Sequence, residues 1–222
     1  YWRRFQEDPT NFEIRVSLER LAEEDENLEA LAVVYEEELD NVEEPEVGAS
    51  LALKVAQIQR EQLEDEDEAI RFTRVALRYD PRNLQALQAL EQAYETSESW
   101  DDLVDVLQKE IGLVAEDEDR IRVFFKMGNV LLERLEQASK SVGYFRQVME
   151  IDAEHVDSLR ALERAFAQQG EHESLYEVLK SRLALTPEGD ERIELVARVA
   201  DLAAGVLERS DEAVDLWHKI LE

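Results

Sequence analysis

The sequence predicts an all-α protein built as an array of stacked helical hairpins. Three observations carry this. Of 222 residues, 44% are hydrophobic and 36% charged, with only 7 Gly and 4 Pro, so strong helix formers run with few breakers between them. Apolar residues recur at helical spacing in every long segment. The chain also lies on itself, without a gap, at one constant shift. Asp8, Asp80 and Asp152 form one ladder, since 80 − 8 = 152 − 80 = 72. Leu18, Leu90 and Leu162 form a second, with Glu19, Glu91 and Glu163 beside it. Leu31, Leu103 and Leu175 form a further ladder, as do Leu63, Leu135 and Leu207. A fixed period of this kind belongs to supersecondary units that bury their apolar faces on their neighbours.

In chain order, residues 1–7 read as the end of a preceding helix, with Trp2 and Phe5 as its apolar edge. Asp8-Pro9-Thr10-Asn11 is a turn in which Thr10 or Asn11 caps the next helix. That helix runs to about Glu24, and a second carries Leu28, Leu31, Val34, Tyr35 and Leu39. An acidic connection, Asp40 to Val47, leads to a third helix from near Ser50 through Leu63. The acidic turn 64–68 then opens a fourth, where carboxylates favour the positive end of the helix dipole. Asp80-Pro81 restarts the cycle, with helices expected near 83–96, 100–114, 118–136 and 139–150, then 155–168, 172–185, 190–208 and 211–222. The expected organisation is one continuous array over 1–222, with double repeats at 8–79, 80–151 and 152–222. Both ends fall inside expected helices, Glu222 aligning with Glu150, so the chain reads as a piece of a longer protein.

The net charge of −29, from 54 acidic and 25 basic residues, argues against nucleic-acid binding by a broad basic face. It keeps a long helical array soluble and offers its outer surface to basic partners. No Cys is present, which removes disulfides and thiolate metal sites and suits either redox environment. No run of 18 apolar residues predicts a membrane span. The compartment stays open, with the cytoplasm favoured.

Little points to catalysis. His155, His172 and His218 lack partners at metal-ligand spacing, and the acidic clusters 36–46, 64–68 and 116–119 lack an ordered calcium-loop pattern. There is no Gly-rich phosphate loop and no nucleophile–base constellation. No enzyme activity, metal or cofactor is expected.

The string AIRFTRVALRYDP at 69–81 resembles the second helix of a tetratricopeptide repeat, through Ala69, Phe72, Ala76, Leu77 and Pro81. Ser141, Tyr144, Phe145, Val148 and Met149 stand in the same register, as do Ala213, Trp217, Ile220 and Leu221. On the first helices, Leu90 with Tyr94 and Leu162 with Phe166 resemble the repeat's Leu and Tyr, and Gly128 falls where the family places a glycine. The first hairpin of each cycle departs from the pattern: Leu31, Leu103 and Leu175 replace a small residue, and Glu19, Glu91 and Glu163 a glycine. The cycle exceeds two 34-residue repeats by four residues.

The resemblance implies a right-handed α-solenoid that acts as a protein–protein interaction scaffold, with the first helix of each hairpin lining a concave face that takes extended peptides. Carried over by position, that face shows Arg20, Gln57, Arg60, Gln85, Gln88 and Gln92. Further on, Arg122, Lys126, Asn129, Arg160 and Arg164 resemble a clamp for a peptide carboxylate. Two alternatives stand beside this. The arginines could simply pair with neighbouring glutamates. The chain could also be a spacer or self-assembly platform whose repeat ends, near Trp2, Phe5 and Trp217, meet another copy.

Overall fold

The computed structural model describes residues 1–221, with side chains as far as His218. Glu222, and the side chains of Ile220 and Leu221 assigned above to repeat positions, lie outside the described residues. Thirteen α-helices and no strand occur among those residues. They form two compact units, Tyr1–Leu113 and Val114–Glu222.

The first unit holds α1 (Trp2–Glu7), α2 (Phe12–Glu24), α3 (Leu28–Leu39), α4 (Pro45–Glu61), α5 (Glu66–Tyr79), α6 (Leu84–Thr96) and α7 (Trp100–Ile111). The second holds α8 (Asp117–Asn129), which passes into a π-helical turn at Val130–Arg134. It continues with α9 (Ala138–Ile151), α10 (Val156–Gln169), α11 (His172–Leu185), α12 (Asp190–Ala204) and α13 (Ser210–Leu221). Helix starts recur in steps of 72: α2, α6 and α10 at 12, 84 and 156; α3, α7 and α11 at 28, 100 and 172; α5, α9 and α13 at 66, 138 and 210. Four boundaries differ from the sequence reading, among them α7, which ends at Ile111 rather than near 114. α4 begins at Pro45 rather than near Ser50, because proline suits a first helical turn whose N–H has no partner anyway. The helix expected over 118–136 ends in the π-helical turn, and the one expected to reach 208 stops at Ala204.

The caps and turns follow the same ladder. Asn11, Asn83 and His155 precede α2, α6 and α10, and each accepts the backbone N–H three residues on, at 3.2, 2.9 and 3.1 Å. His155 does so through Nδ1. Between paired helices the chain reverses through left-handed residues: Glu26, Glu98 and Gly170 at one ladder position, Glu64, Glu136 and Glu208 at the other. A bond from residue i to i−5 closes each helix end at the first position, as in Asn27 N–H to Ala22 (2.8 Å), Ser99 to Tyr94 (2.8 Å) and Glu171 to Phe166 (3.0 Å). This is a Schellman closure. At the second position the loop is one residue wider: Asp65 N–H reaches Gln59, Gln137 reaches Leu131 and Arg209 reaches Ala203, at 2.9, 2.7 and 2.7 Å. After α8 this closure follows the π-helical turn.

Packing in the first unit centres on Phe5, Leu31, Tyr35, Leu51, Val55 and Phe72, with the rings of Phe5 and Tyr35 centred 5.2 Å apart. The second unit has one core around Phe145, Leu162 and Phe166 and another around Tyr176, Leu179, Leu195 and Val199. Close approach is set by large-against-small pairs. A Cβ on Gly128 would stand 2.6 Å from the Phe145 ring, and one on Gly48 would overlap the ring of Tyr79. One cycle earlier, the positions of Gly128 and Phe145 are held by Ala56 and Thr73, both buried. A smaller partner on α5 thus goes with a larger residue on α4, as close packing requires.

Two outcomes follow for stability. Gly128→Ala should cost about 1–3 kcal/mol by overpacking against Phe145, read as a lower denaturation midpoint; an unchanged midpoint would refute the close approach. Glu98→Gly should gain about 0.5–1 kcal/mol by relieving a left-handed non-glycine backbone, and calorimetry showing a loss would contradict the turn geometry.

Candidate functional site

The residues assigned to a peptide clamp all lie in the second unit, on the first helices of its hairpins. Arg122, Lys126 and Asn129 follow one face of α8, and Arg160 and Arg164 stand one turn apart on α10. Arg122 is exposed; Lys126 and Asn129 are half-buried. Asn129 Oδ1 is buried without a hydrogen bond and sits at the entry to the π-helical turn. That turn carries Glu133, whose carboxylate takes a bond of 2.6 Å from Arg164 Nη1. Arg160 meets Glu191 of α12 at 3.2 Å and Asp157 at 3.6 Å. Both arginines therefore hold carboxylates of their own unit. Their side chains remain 50% and 53% exposed, and exposed pairs of this kind contribute about 0–1 kcal/mol, so an incoming carboxylate can exchange with them.

Lys126 occupies a ladder position with a structural habit. Lys54, one cycle earlier, lies 3.9 Å from Glu19 and from Glu23. Arg198, one cycle later, pairs with Glu163. At 54 and 198 a cation on a first helix thus holds the carboxylate that replaces the repeat's glycine.

That carboxylate is the feature sequence reasoning undervalued. Glu163 on α10 is 8% exposed and pairs with Arg182 of α11, itself 8% exposed, and with Arg198 of α12. Arg182 Nη2 also reaches Glu191 at 3.1 Å, which joins this buried knot to Arg160. In the first unit Glu19 instead accepts the Tyr35 hydroxyl at 3.0 Å. Burial, then the Glu19 charge and hydrogen bond, push the Tyr35 hydroxyl well above the ordinary tyrosine range. Burial and the Glu212 carboxylate push Tyr176 up to about 12. The ladder Glu38, Glu110, Arg182, all buried, was the available signal: a basic residue in an acidic register beside Glu163.

The remaining groove positions fall in the first unit. Arg20 pairs with Glu24 at 3.3 Å, Gln57 donates to Glu61 at 3.0 Å and Arg60 meets Glu66 at 3.2 Å. Gln85, Gln88 and Gln92 are exposed. A cavity of about 420 Å³ opens beside Lys54, Gln57, Arg60 and Gln85. No helix among the described residues is long and apolar enough to cross a membrane.

Because Arg182 is buried and Glu163 is its closest partner, Glu163→Ala should cost about 3–5 kcal/mol in urea denaturation of the full chain. A loss below about 1 kcal/mol would mean the knot is solvated and energetically idle.

Residues 86–121 and 158–193 match the model of the tetratricopeptide repeat, and the two matches start one cycle apart, since 158 − 86 = 72. They fall on the hairpins bearing Glu91 with Leu103 and Glu163 with Leu175, so the departures noted in those hairpins leave the repeat recognisable. A comparison with curated protein sequences gave no match. Among solved structures, the chain is similar to the MamA protein at 19% identity, covering 78% of this chain and 90% of that one with a TM-score of 0.52. It is similar to YrrB, described as a TPR protein with an unusual peptide-binding site, at 17% identity, 78% and 84% coverage and a TM-score of 0.52. A tetratricopeptide repeat protein from Parabacteroides merdae is similar at 13% identity, with 94% and 78% coverage and a TM-score of 0.51. These likenesses bear on fold. Together with the two matched repeats and the helix hairpins, they show a tetratricopeptide-type helical repeat fold.

Proposed function

We propose that the chain is a non-enzymatic interaction scaffold that holds a peptide or protein segment on the first helices of its second unit, at Arg122, Lys126, Asn129, Arg160 and Arg164. The observation that carries this is the state of α10. Arg160 and Arg164 present half-exposed guanidinium groups whose present partners are surface carboxylates. Asn129 stands half-buried beside the π-helical turn. A segment ending in a carboxylate, or carrying one, would give the arginines charge-assisted bonds. YrrB, a structural relative described as having a peptide-binding site, makes such a use of the fold reasonable. Within this reading Lys126 has a double role, since its ladder equivalents hold structural carboxylates.

One observation favours a second reading, a self-assembly platform or spacer. Trp2, Leu18, Leu21, Ala22, Leu31 and Val34 line an apolar cleft of about 180 Å³. Leu18, Leu21 and Ala22 are half-buried, whereas Leu90, Ala93 and Tyr94, at the same positions one cycle on, are buried. A second copy could cover this cleft.

The two readings separate in one experiment. The chain and its Arg160→Gln, Arg164→Gln variant, matched for stability, are used to capture proteins from cells that make it, and each is sedimented at several concentrations. Capture reduced by about tenfold in the variant, with both proteins monomeric, is the expected result. Equal capture would refute the clamp, and concentration-dependent growth abolished by Leu21→Glu would favour self-assembly.

A further inference from the structure

The second helices carry a surface that the clamp on α8 and α10 does not use. α5 presents Arg71, Arg74 and Arg78 at i, i+3 and i+7, all exposed. The residues one cycle later are Gly143, Arg146 and Glu150, so α9 lacks the row. Two of the three arginines are committed. Arg71 meets Glu36 at 2.9 Å and Glu68 at 2.7 Å, and these bonds raise its already high pKa. Arg74 donates to the Tyr94 hydroxyl at 2.6 Å and reaches Asp102 at 3.4 Å. The Arg78 guanidinium has no hydrogen bond or ion pair among the described residues.

Arg78 nevertheless stands where three cavities of about 390, 580 and 410 Å³ meet along α5. It is the one described residue that borders all three. The first cavity has Leu39, Phe72 and Val75 in its wall, and the third has Leu90, Tyr94 and Val106. Charge on the rim is arranged around this centre. Lys109 borders the third cavity, while Asp40 borders the first and Asp105 the third. None of these three side chains has an ion pair among the described residues.

We propose that this groove, running along α5 from α3 to α7, docks an extended segment with a single acidic side chain on Arg78. Apolar side chains two residues to either side would enter the first and third cavities, and basic residues at its ends would face Asp40 and Asp105. A free guanidinium is built for bidentate capture of a carboxylate. A polyacidic segment is excluded, because a protein of net charge −29 repels it and the rim aspartates add to that.

The test uses the full chain and a fluorescent acetyl-Lys-Ser-Leu-Ser-Glu-Ser-Leu-Ser-Lys amide, which puts both Lys on the same strand face as Glu and Leu, followed by anisotropy. Saturable binding is expected, weakened about tenfold by replacing the peptide's Glu with Gln or by Arg78→Ala, with no further loss when both are changed. Arg160→Gln, Arg164→Gln should leave it unaltered, which keeps this groove separate from the clamp. No saturable binding up to about 1 mM, or equal binding of the Gln peptide, would overturn the proposal. Arg78 has no partner to lose, so Arg78→Ala should keep the parent's circular dichroism and melting temperature.

Discussion

A helical hairpin of this length cannot bury its own apolar face, and everything else in the structure depends on that constraint. The face must be covered by the neighbouring hairpin, so distances between helices are set by what stands on both sides. The same holds inside a hairpin, where Gly128 lies beneath Phe145 and Gly48 beneath Tyr79, each without room for a Cβ. Where the facing residue shrinks to Thr73, the glycine becomes Ala56. First helices are brought near one another by the same packing, which lets Arg160 reach Glu191, Arg164 reach Glu133 and Lys54 approach Glu19. Electrostatics follows from packing here; it does not direct it.

Charge takes on structural meaning where packing leaves no water. The ladder Glu19, Glu91, Glu163 puts a carboxylate where the repeat ordinarily has a glycine, and each cycle must find it a partner. The first uses a tyrosine hydroxyl with a lysine nearby, and the third uses two arginines. A buried carboxylate without such partners would cost several kcal/mol. The knot around Glu163 also ties α10 to α11 and α12, so it fixes the helix that presents Arg160 and Arg164. A proposed binding surface of exposed, exchangeable arginines thus stands on a helix anchored through Glu163 to the buried Arg182.

Much of this was legible in the sequence. The constant shift from ladder to ladder located the helix hairpins, because a buried ladder such as Leu90 and Leu162 leaves an apolar residue at every recurrence. The cap positions were visible at Asn11, whereas His155 carries the same cap through an imidazole nitrogen that no simple preference suggests. Turns were harder. Five glutamates hold left-handed backbone conformations normally marked by glycine, and nothing in glutamate's chemistry announces them; only their recurrence at 64, 136 and 208 does. The π-helical turn was illegible for a related reason, since the same wide closure recurs after α4, α8 and α12 and only α8 passes through a π-helical turn. Among the proposed site residues, the sequence placed the arginines on first helices of hairpins, which is where the structure has them. It could not say which carboxylates they hold, because that depends on neighbours 31 residues away in the chain.

The central functional claim is that a partner meets the first helices of the second unit. It is tested most directly by photo-crosslinking in cells that make the protein, with a photoreactive residue placed in turn at 129, 164, 147 and 180. The account predicts partner adducts from positions 129 and 164, on the first helices, and none from 147 and 180, on the second helices. Adducts from 147 and 180 alone would contradict it and move the binding surface to the opposite face of the hairpins.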